Sequence, residues 1–182
     1  MSAPGLEEDV TEKSAEQLFV GYSIAKLDQL VHRIADCLGR LRDDQIWARG
    51  SENENAIGNL VLHLCGNVRQ WLIAGVGGEP DVRDRDGEFS ARGGASASEL
   101  TGRLQATVAA AIQVLDRLPS DRLRETVRIQ SYERSVLEAV YHVVEHFSLH
   151  AGQIMFATKL ATGEDLGYYR HLGRRSHEEP TP

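Results

Sequence analysis

Cysteine occurs only twice in the 182 residues, at Cys37 and Cys65. Two thiols cannot make a disulfide framework, and the expectation is a pair of buried free cysteines in a reducing compartment. No uncharged stretch approaches the roughly 20 apolar residues that a bilayer crossing requires, so no membrane partner is expected. Positive charge is also in deficit. Lysine and arginine total 20 against 27 acidic residues, a formal net charge of −7. That balance removes the broad positive field that non-specific nucleic-acid binding uses, and nucleic acid is not an expected partner. Met1 to Val10 shows no basic stretch followed by an apolar run, so no secretory signal is read there and the cytoplasm is the expected location.

The chain has the length of one domain and can bury a core without staples. Four long segments carry helical periodicity. The first runs roughly from Ser14 to Leu41, with Leu18, Tyr22, Ala25, Leu27, Leu30, Val31, Ile34, Leu38 and Leu41 at spacings of three and four. Ser14 and Gln17 can form a capping box. The second opens near Asn55 as N-cap, carries Leu60, Leu64, Val68, Trp71 and Leu72, and is expected to stop at Gly75, Gly77 and Gly78. The third starts at Ser96 or Ser98, with Glu99 placed to complete a box. It runs through Leu100, Leu104, Val108, Ala111 and Leu115 to a halt at Pro119. The fourth spans about Tyr132 to Thr162, and Gly163 stands where a left-handed C-terminal cap belongs.

Between the second and third segments lies a long loop, Val76 to Ala95, rich in glycine and charge; loops of this length usually carry function or lack order. Leu123 to Gln130 alternates enough for a short extended piece, but its isolation argues against a sheet. The expected organisation is an all-α four-helix bundle over residues 1–163, followed by a polar extension, 164–182, whose last ten residues fray.

Chemistry is concentrated in the histidines. The fourth helix holds His142, His146 and His150, four residues apart and hence on one side of the helix. At about 100° per residue, with Val143 as the reference direction, Val136, Val140, Phe147, Ile154 and Ala161 fall within about 60°. His150 lies about 20° and His146 about 60° from that line, whereas His142 sits about 100° away, at the edge of the buried face. The inward pair is His146 and His150, and two imidazoles so placed can share an ion. A third ligand is wanted from another helix. His63, within Leu60-Val61-Leu62-His63-Leu64, is the candidate, because an unpartnered imidazole there would cost about 1–3 kcal/mol. Cys65 projects about 200° from His63 and is not expected to join it. His32 reads as a helix-face residue, and His171 and His177 as loop or tail.

His142-Val143-Val144-Glu145-His146 matches the inverted zinc-protease pattern, H-x-x-E-H. That chemistry needs the glutamate beside the metal, and Glu145 points about 160° from the core direction. The protease reading is set aside.

The string His146-Phe147-Ser148-Leu149-His150-Ala151-Gly152-Gln153-Ile154, together with His63-Leu64-Cys65-Gly66-Asn67, resembles the signature of the DinB-like (YfiT-like) superfamily. The likeness runs from about Ser14 to Gly163. It implies an up-down-down-up bundle, often dimeric, in which His63, His146 and His150 hold a divalent ion. Within the same pattern Gly152 is read as permitting close helix approach, and Gln153 as a hydrogen-bonding partner or a brace. Characterised relatives use low-molecular-weight thiols such as bacillithiol, mycothiol or glutathione in transfer or isomerisation reactions. The resemblance therefore implies a metal-dependent S-transferase acting on small electrophiles, with a thiol cofactor and a homodimeric assembly.

Three neutral imidazoles leave an ion at least one open position, as in catalytic sites, and suit zinc, nickel, iron and copper alike. Asn67, one turn beyond His63, is a candidate to bond a ligand or steady an imidazole, or else an ordinary helix polar residue. Arg83-Asp84-Arg85-Asp86-Gly87-Glu88-Phe89 could fold over the mouth and present Arg85 to an anionic thiol, or remain a solvated charged loop. Trp71 and Trp47 are expected to pack in and near the core. Two further readings stay open: a metal-dependent hydrolase, for which no general base is evident near the site, and a non-enzymatic metal-binding, stress-related protein.

Overall fold

A computed structural model of the chain describes residues 12–170; expectations for Met1 to Val10, His171, His177 and the last ten residues lie outside that range. Helix α1 spans Ala15–Gly39 behind the expected cap, with Ser14 Oγ accepting from Gln17 N and Gln17 Oε1 accepting from Ser14 N. Leu27, Leu30, Val31, Ile34 and Leu38 are buried, but Leu18 and Tyr22 are exposed. At this end the packed face runs through Phe19, Val20, Ser23 and Ile24 instead, about 100° around the helix from Leu18. A four-residue α2, Asp43–Ile46, follows.

Helix α3, Ile57–Val68, starts after Ala56 rather than at Asn55. Asn59, fully buried, explains the entry: its Oδ1 accepts from Ala56 N while its Nδ2 donates to the carbonyls of Glu88 and Ala91. The same side chain thus starts a helix and pins a distant loop. The chain does not break at Gly75. It continues as a π-helix over Arg69–Val76, closed by Gly77 N donating to Leu72 O at 2.8 Å. Gln70, Trp71, Leu72 and Ile73 are all buried along it, more than an amphipathic α-helix presents to one side.

The 76–95 connection contains a six-residue helix, α4 (Arg85–Ser90), capped by Asp84. Helix α5, Ala97–Asp116, uses Ser96 and Glu99 as its box and buries Leu100, Leu104, Val108, Ala111 and Leu115. A 3₁₀ turn, Ser120–Arg124, leads into the main departure from expectation. Strands β1 (Thr126–Ile129) and β2 (Tyr132–Ser135) form an antiparallel pair, with Thr126 opposite Ser135 and Ile129 opposite Tyr132. The extended piece is not isolated, because Tyr132 to Ser135, expected as helix, is its partner. Helix α6 then runs Val136–Thr162, with Ser135 and Glu138 as capping box and Gly163 left-handed at φ 71°. Ala161, expected to face inward, is exposed in this last turn.

Helices α1 and α3 each pack against both α5 and α6. The fold is therefore mostly helical, with one small two-stranded sheet among the described residues. Among the described residues no helix is long and apolar enough to cross a membrane. Beyond α6 the chain returns to α1: Leu166 is buried, and Tyr168 donates to Asp36 Oδ2 at 2.7 Å. Both cysteines are buried and free. Gly152 has open space around it and does not serve a close helix approach within the described residues.

Candidate metal centre

The apolar run of α3 buries His63, and the inward face of α6 brings His146 and His150 opposite it. His63 Nε2 lies 3.1 Å from His146 Nε2, and His150 Nε2 lies 3.2 Å from the same atom. One nitrogen from each of the three residues falls within 4.8 Å of the other two, a grouping that could hold a metal ion. Ligand bonds of about 2.0–2.1 Å in tetrahedral array separate nitrogens by roughly 3.3 Å, close to the spacing observed.

The outward nitrogens decide the tautomers. His63 Nδ1 sits 2.9 Å from Glu88 Oε2, and His150 Nδ1 sits 2.7 Å from Gln153 Oε1. Both partners accept, so both Nδ1 atoms carry the proton and both Nε2 atoms present lone pairs. Arg83 Nη2 also lies 3.1 Å from His63 Nδ1, but it donates to Glu88 Oε2 at 2.8 Å and has no need of the imidazole. Two lone pairs consequently converge on His146 Nε2, which can return a proton to only one of them. A cation at the shared point satisfies all three nitrogens. This donor set fits a divalent metal.

Glu88 is the residue that sequence reasoning missed. Its carboxylate is buried and held by Arg83 Nε at 2.7 Å and Nη2 at 2.8 Å, a two-pronged ion pair. Burial alone would raise the Glu88 carboxyl, but hydrogen bonds from Arg83 and His63 outweigh it and hold the group below the usual carboxylate range. Arg83 is fixed in turn by Gln70 Oε1, which also accepts from Gln130 at the hairpin turn. Gly66 makes room for the pair: a Cβ there would stand 1.8 Å from Glu88 Oε1. The Arg83–Phe89 segment does fold over the site, and Phe89 lies 4.7 Å from the His63 ring.

Burial, and after it the neighbouring imidazoles and Arg83, push His146 down from its ordinary 6.5 to about 3. Between those values the unfolded chain binds a proton here and the folded protein does not, so acidification through that window favours unfolding. Metal-free protein is expected to lose about 1–2 kcal/mol of stability between pH 7 and pH 5 through this residue. Thermal melts of wild type and His146→Leu across that range check it. The variant should show the shallower decline, and parallel curves would count against the depressed His146.

A cavity of about 380 Å³ opens beside the histidines, lined by His63, His142, His146, Asn67, Trp71 and the arginines 83, 85 and 134, among others. His142 is not a member of the three. Its ring packs at a tilt against Trp71, with centres 4.1 Å apart, and Asn67 Nδ2 donates to its Nε2 at 3.3 Å. Asn67 thus steadies an imidazole, though not a member of the converging set. Trp71 packs as expected and also walls the cavity, whereas Trp47 packs against Gly58 and donates to Ala95 O. Cys65 faces away from His63, and burial pushes its thiol up to about 11. His32 stays on the surface, and Glu145 is exposed, so the protease pattern assembles nothing.

Residues 14–170 match a family described as "Protein of unknown function (DUF1572)". No curated protein matches the chain. Among solved structures, one titled "Crystal structure of the conserved protein of locus from Enterococcus faecalis" aligns with a TM-score of 0.67 at 16% identity, covering 84% of this chain and 100% of that one. At that identity the likeness concerns the fold alone.

Proposed function

We propose, given that the chain belongs to the DUF1572 family of proteins of unknown function, that it is a metal-dependent enzyme of the DinB-like superfamily that joins a low-molecular-weight thiol to a small electrophile. The observation that carries this reading is the convergence of two imidazole lone pairs on His146 Nε2 at the floor of an open cavity. Zinc, nickel and iron all suit three imidazoles. Bound there, a divalent cation supplies Lewis acidity that favours the deprotonated form of a thiol. The up-down-down-up helix order and a homodimeric assembly belong to the same reading.

The chain's own residues supply position. Glu88 and Gln153 fix the rings of His63 and His150 through their Nδ1 protons, which sets where a third group can approach. Phe89 and Trp71 flank the histidines and exclude water from one side. In the transfer a sulfur–carbon bond forms, the carbon–leaving-group bond breaks with its electron pair going to the leaving group, and the thiol proton passes to solvent. Protein purified without a histidine tag should contain about one equivalent of divalent metal and accelerate conjugation of one or more common thiols to 1-chloro-2,4-dinitrobenzene. His150→Ala should lose both properties together. Conjugation at the wild-type rate by a metal-free variant would sink the proposal.

One observation favours metal-dependent hydrolysis as the second reading. His142 lines the same cavity with its ring 5.5 Å from that of His146. Burial holds it below its ordinary value, with Glu145 opposing that effect and Arg83 adding to it. It therefore stands neutral near pH 7, and a water that displaces the Asn67 contact at Nε2 would meet a lone pair able to take its proton. Turnover of esters or amides without added thiol, lost in His142→Gln while metal content is kept, would select this reading over the first.

A further inference from the structure

Charge in the cavity runs against charge in the protein. The chain carries −7 overall, yet the cavity wall holds Arg83, Arg85 and Arg134 with Glu138 as its one carboxylate. Arg83 is already matched by Glu88. Glu138 is committed to the start of α6, where its Oε2 accepts from Ser135 N at 2.7 Å and Ser135 Oγ at 2.8 Å. Arg85 and Arg134 are exposed, and neither forms an ion pair among the described residues. Each is held by a ring instead: the Arg85 guanidinium lies 5.0 Å from the centre of Phe89, and that of Arg134 lies 5.4 Å from the centre of Tyr132.

Unpaired surface arginines are common, but these two differ in where they stand. One comes from α4 and the other from β2, and both line this cavity. Phe89, which carries Arg85, itself packs against His63 with the rings tilted by 42°. Arg134 Nη1 donates to Glu133 O at 2.8 Å, which leaves its other N–H groups and those of Arg85 to look over a depression whose other wall is the indole of Trp71. Stacking leaves the in-plane N–H donors of a guanidinium available, and those donors match a carboxylate in a fork geometry that a lysine cannot supply. The volume, about 380 Å³, is at the small end of ligand pockets.

We propose that this cavity selects a small organic acid, bound with its carboxylate between Arg85 and Arg134 and its apolar body against Trp71, the reacting group reaching toward the three histidines. The selection deepens the function proposed above, since it names the chemical class that the site accepts. The carboxylate can belong to the thiol or to its electrophilic co-substrate.

Two matched probe pairs distinguish those sources: phenylacetate with phenylacetamide, and 3-mercaptopropionate with 3-mercaptopropionamide. Binding is followed by calorimetry on metal-free and zinc-loaded protein, with zinc uptake measured separately. The anion should bind at least about tenfold tighter than its amide in one pair or both. The preference should fall below about threefold in R85Q/R134Q, with zinc uptake unchanged. A preference in the phenyl pair assigns the carboxylate to the co-substrate, and one confined to the thiol pair assigns it to the thiol. Equal binding of acid and amide in both pairs, a preference that survives in the double variant, or no measurable binding of any probe overturns the proposal. Protein that takes up no zinc but keeps the preference fails the metal reading alone; protein that takes up zinc without the preference fails this one alone.

Discussion

His146→Ala should lower zinc affinity by about two to three orders of magnitude, more than any other single change in the protein. Metal binding by a full ligand set is worth roughly 10–16 kcal/mol, so one ligand's share is a few kcal/mol. His146 carries more than an equal share because its Nε2 is the atom that both other imidazoles face, at 3.1 and 3.2 Å. Without it, the remaining pair comes from two different helices, with ring centres 5.1 Å apart and no third nitrogen to complete the set. The variant should nonetheless fold, since His146 is only half-buried and its Nδ1 has no partner to lose. Competition with a chromogenic chelator gives the affinity, and circular dichroism verifies the helix content. A loss under tenfold would show that the histidines do not act as one ligand set.

Gly66→Ala is the more discriminating change, because it touches no ligand. The added Cβ would meet Glu88 Oε1 at 1.8 Å and Arg83 Nε at 3.0 Å. A carboxylate at the end of a side chain can move aside, so the fold survives at a cost of about 1–3 kcal/mol. Moving it, however, strips His63 Nδ1 of its acceptor and divides the Arg83–Glu88 pair. Partners of this kind are typically worth 10–100-fold in metal affinity. The expected outcome is a folded protein with zinc affinity reduced by about that factor, and Glu88→Gln should give a loss of similar size without the steric component. If Gly66→Ala binds zinc as wild type does, Glu88 does not position His63.

The three histidines were legible because helical geometry is regular. Residues four apart share a face but advance by about 40° around it, so two such steps turn His150 about 80° inward from His142, as observed. His63 stood out as a polar group inside an apolar turn. Glu88 carried no such mark. It is one acid in a segment crowded with charge, and its contact with His63 crosses 25 positions through a loop whose path is set by Asn59. Arg83 and Gly66 were hidden for the same reason, as their roles exist only relative to Glu88. The hairpin was missed differently. Its strands have four residues each, too short for alternation to register against the strong helical pattern that follows. Ser135 and Glu138 did spell a capping box, and reading it would have moved the start of the fourth helix and freed Tyr132 to Ser135 for a strand.

The π-helical stretch over Arg69–Val76 has an implication for how this cavity could diversify. Such a stretch behaves as a residue inserted into an α-helix without breaking it. Excising that residue would restore i→i+4 bonding and swing whatever lies downstream by about 100°, while the turn upstream that carries His63 stays where it is. The protein therefore holds, within a single helix, a fixed half that places His63 and a re-phasable half that decides which side chains face the cavity. A change of chain length by one amino acid could give the same three histidines a different neighbourhood.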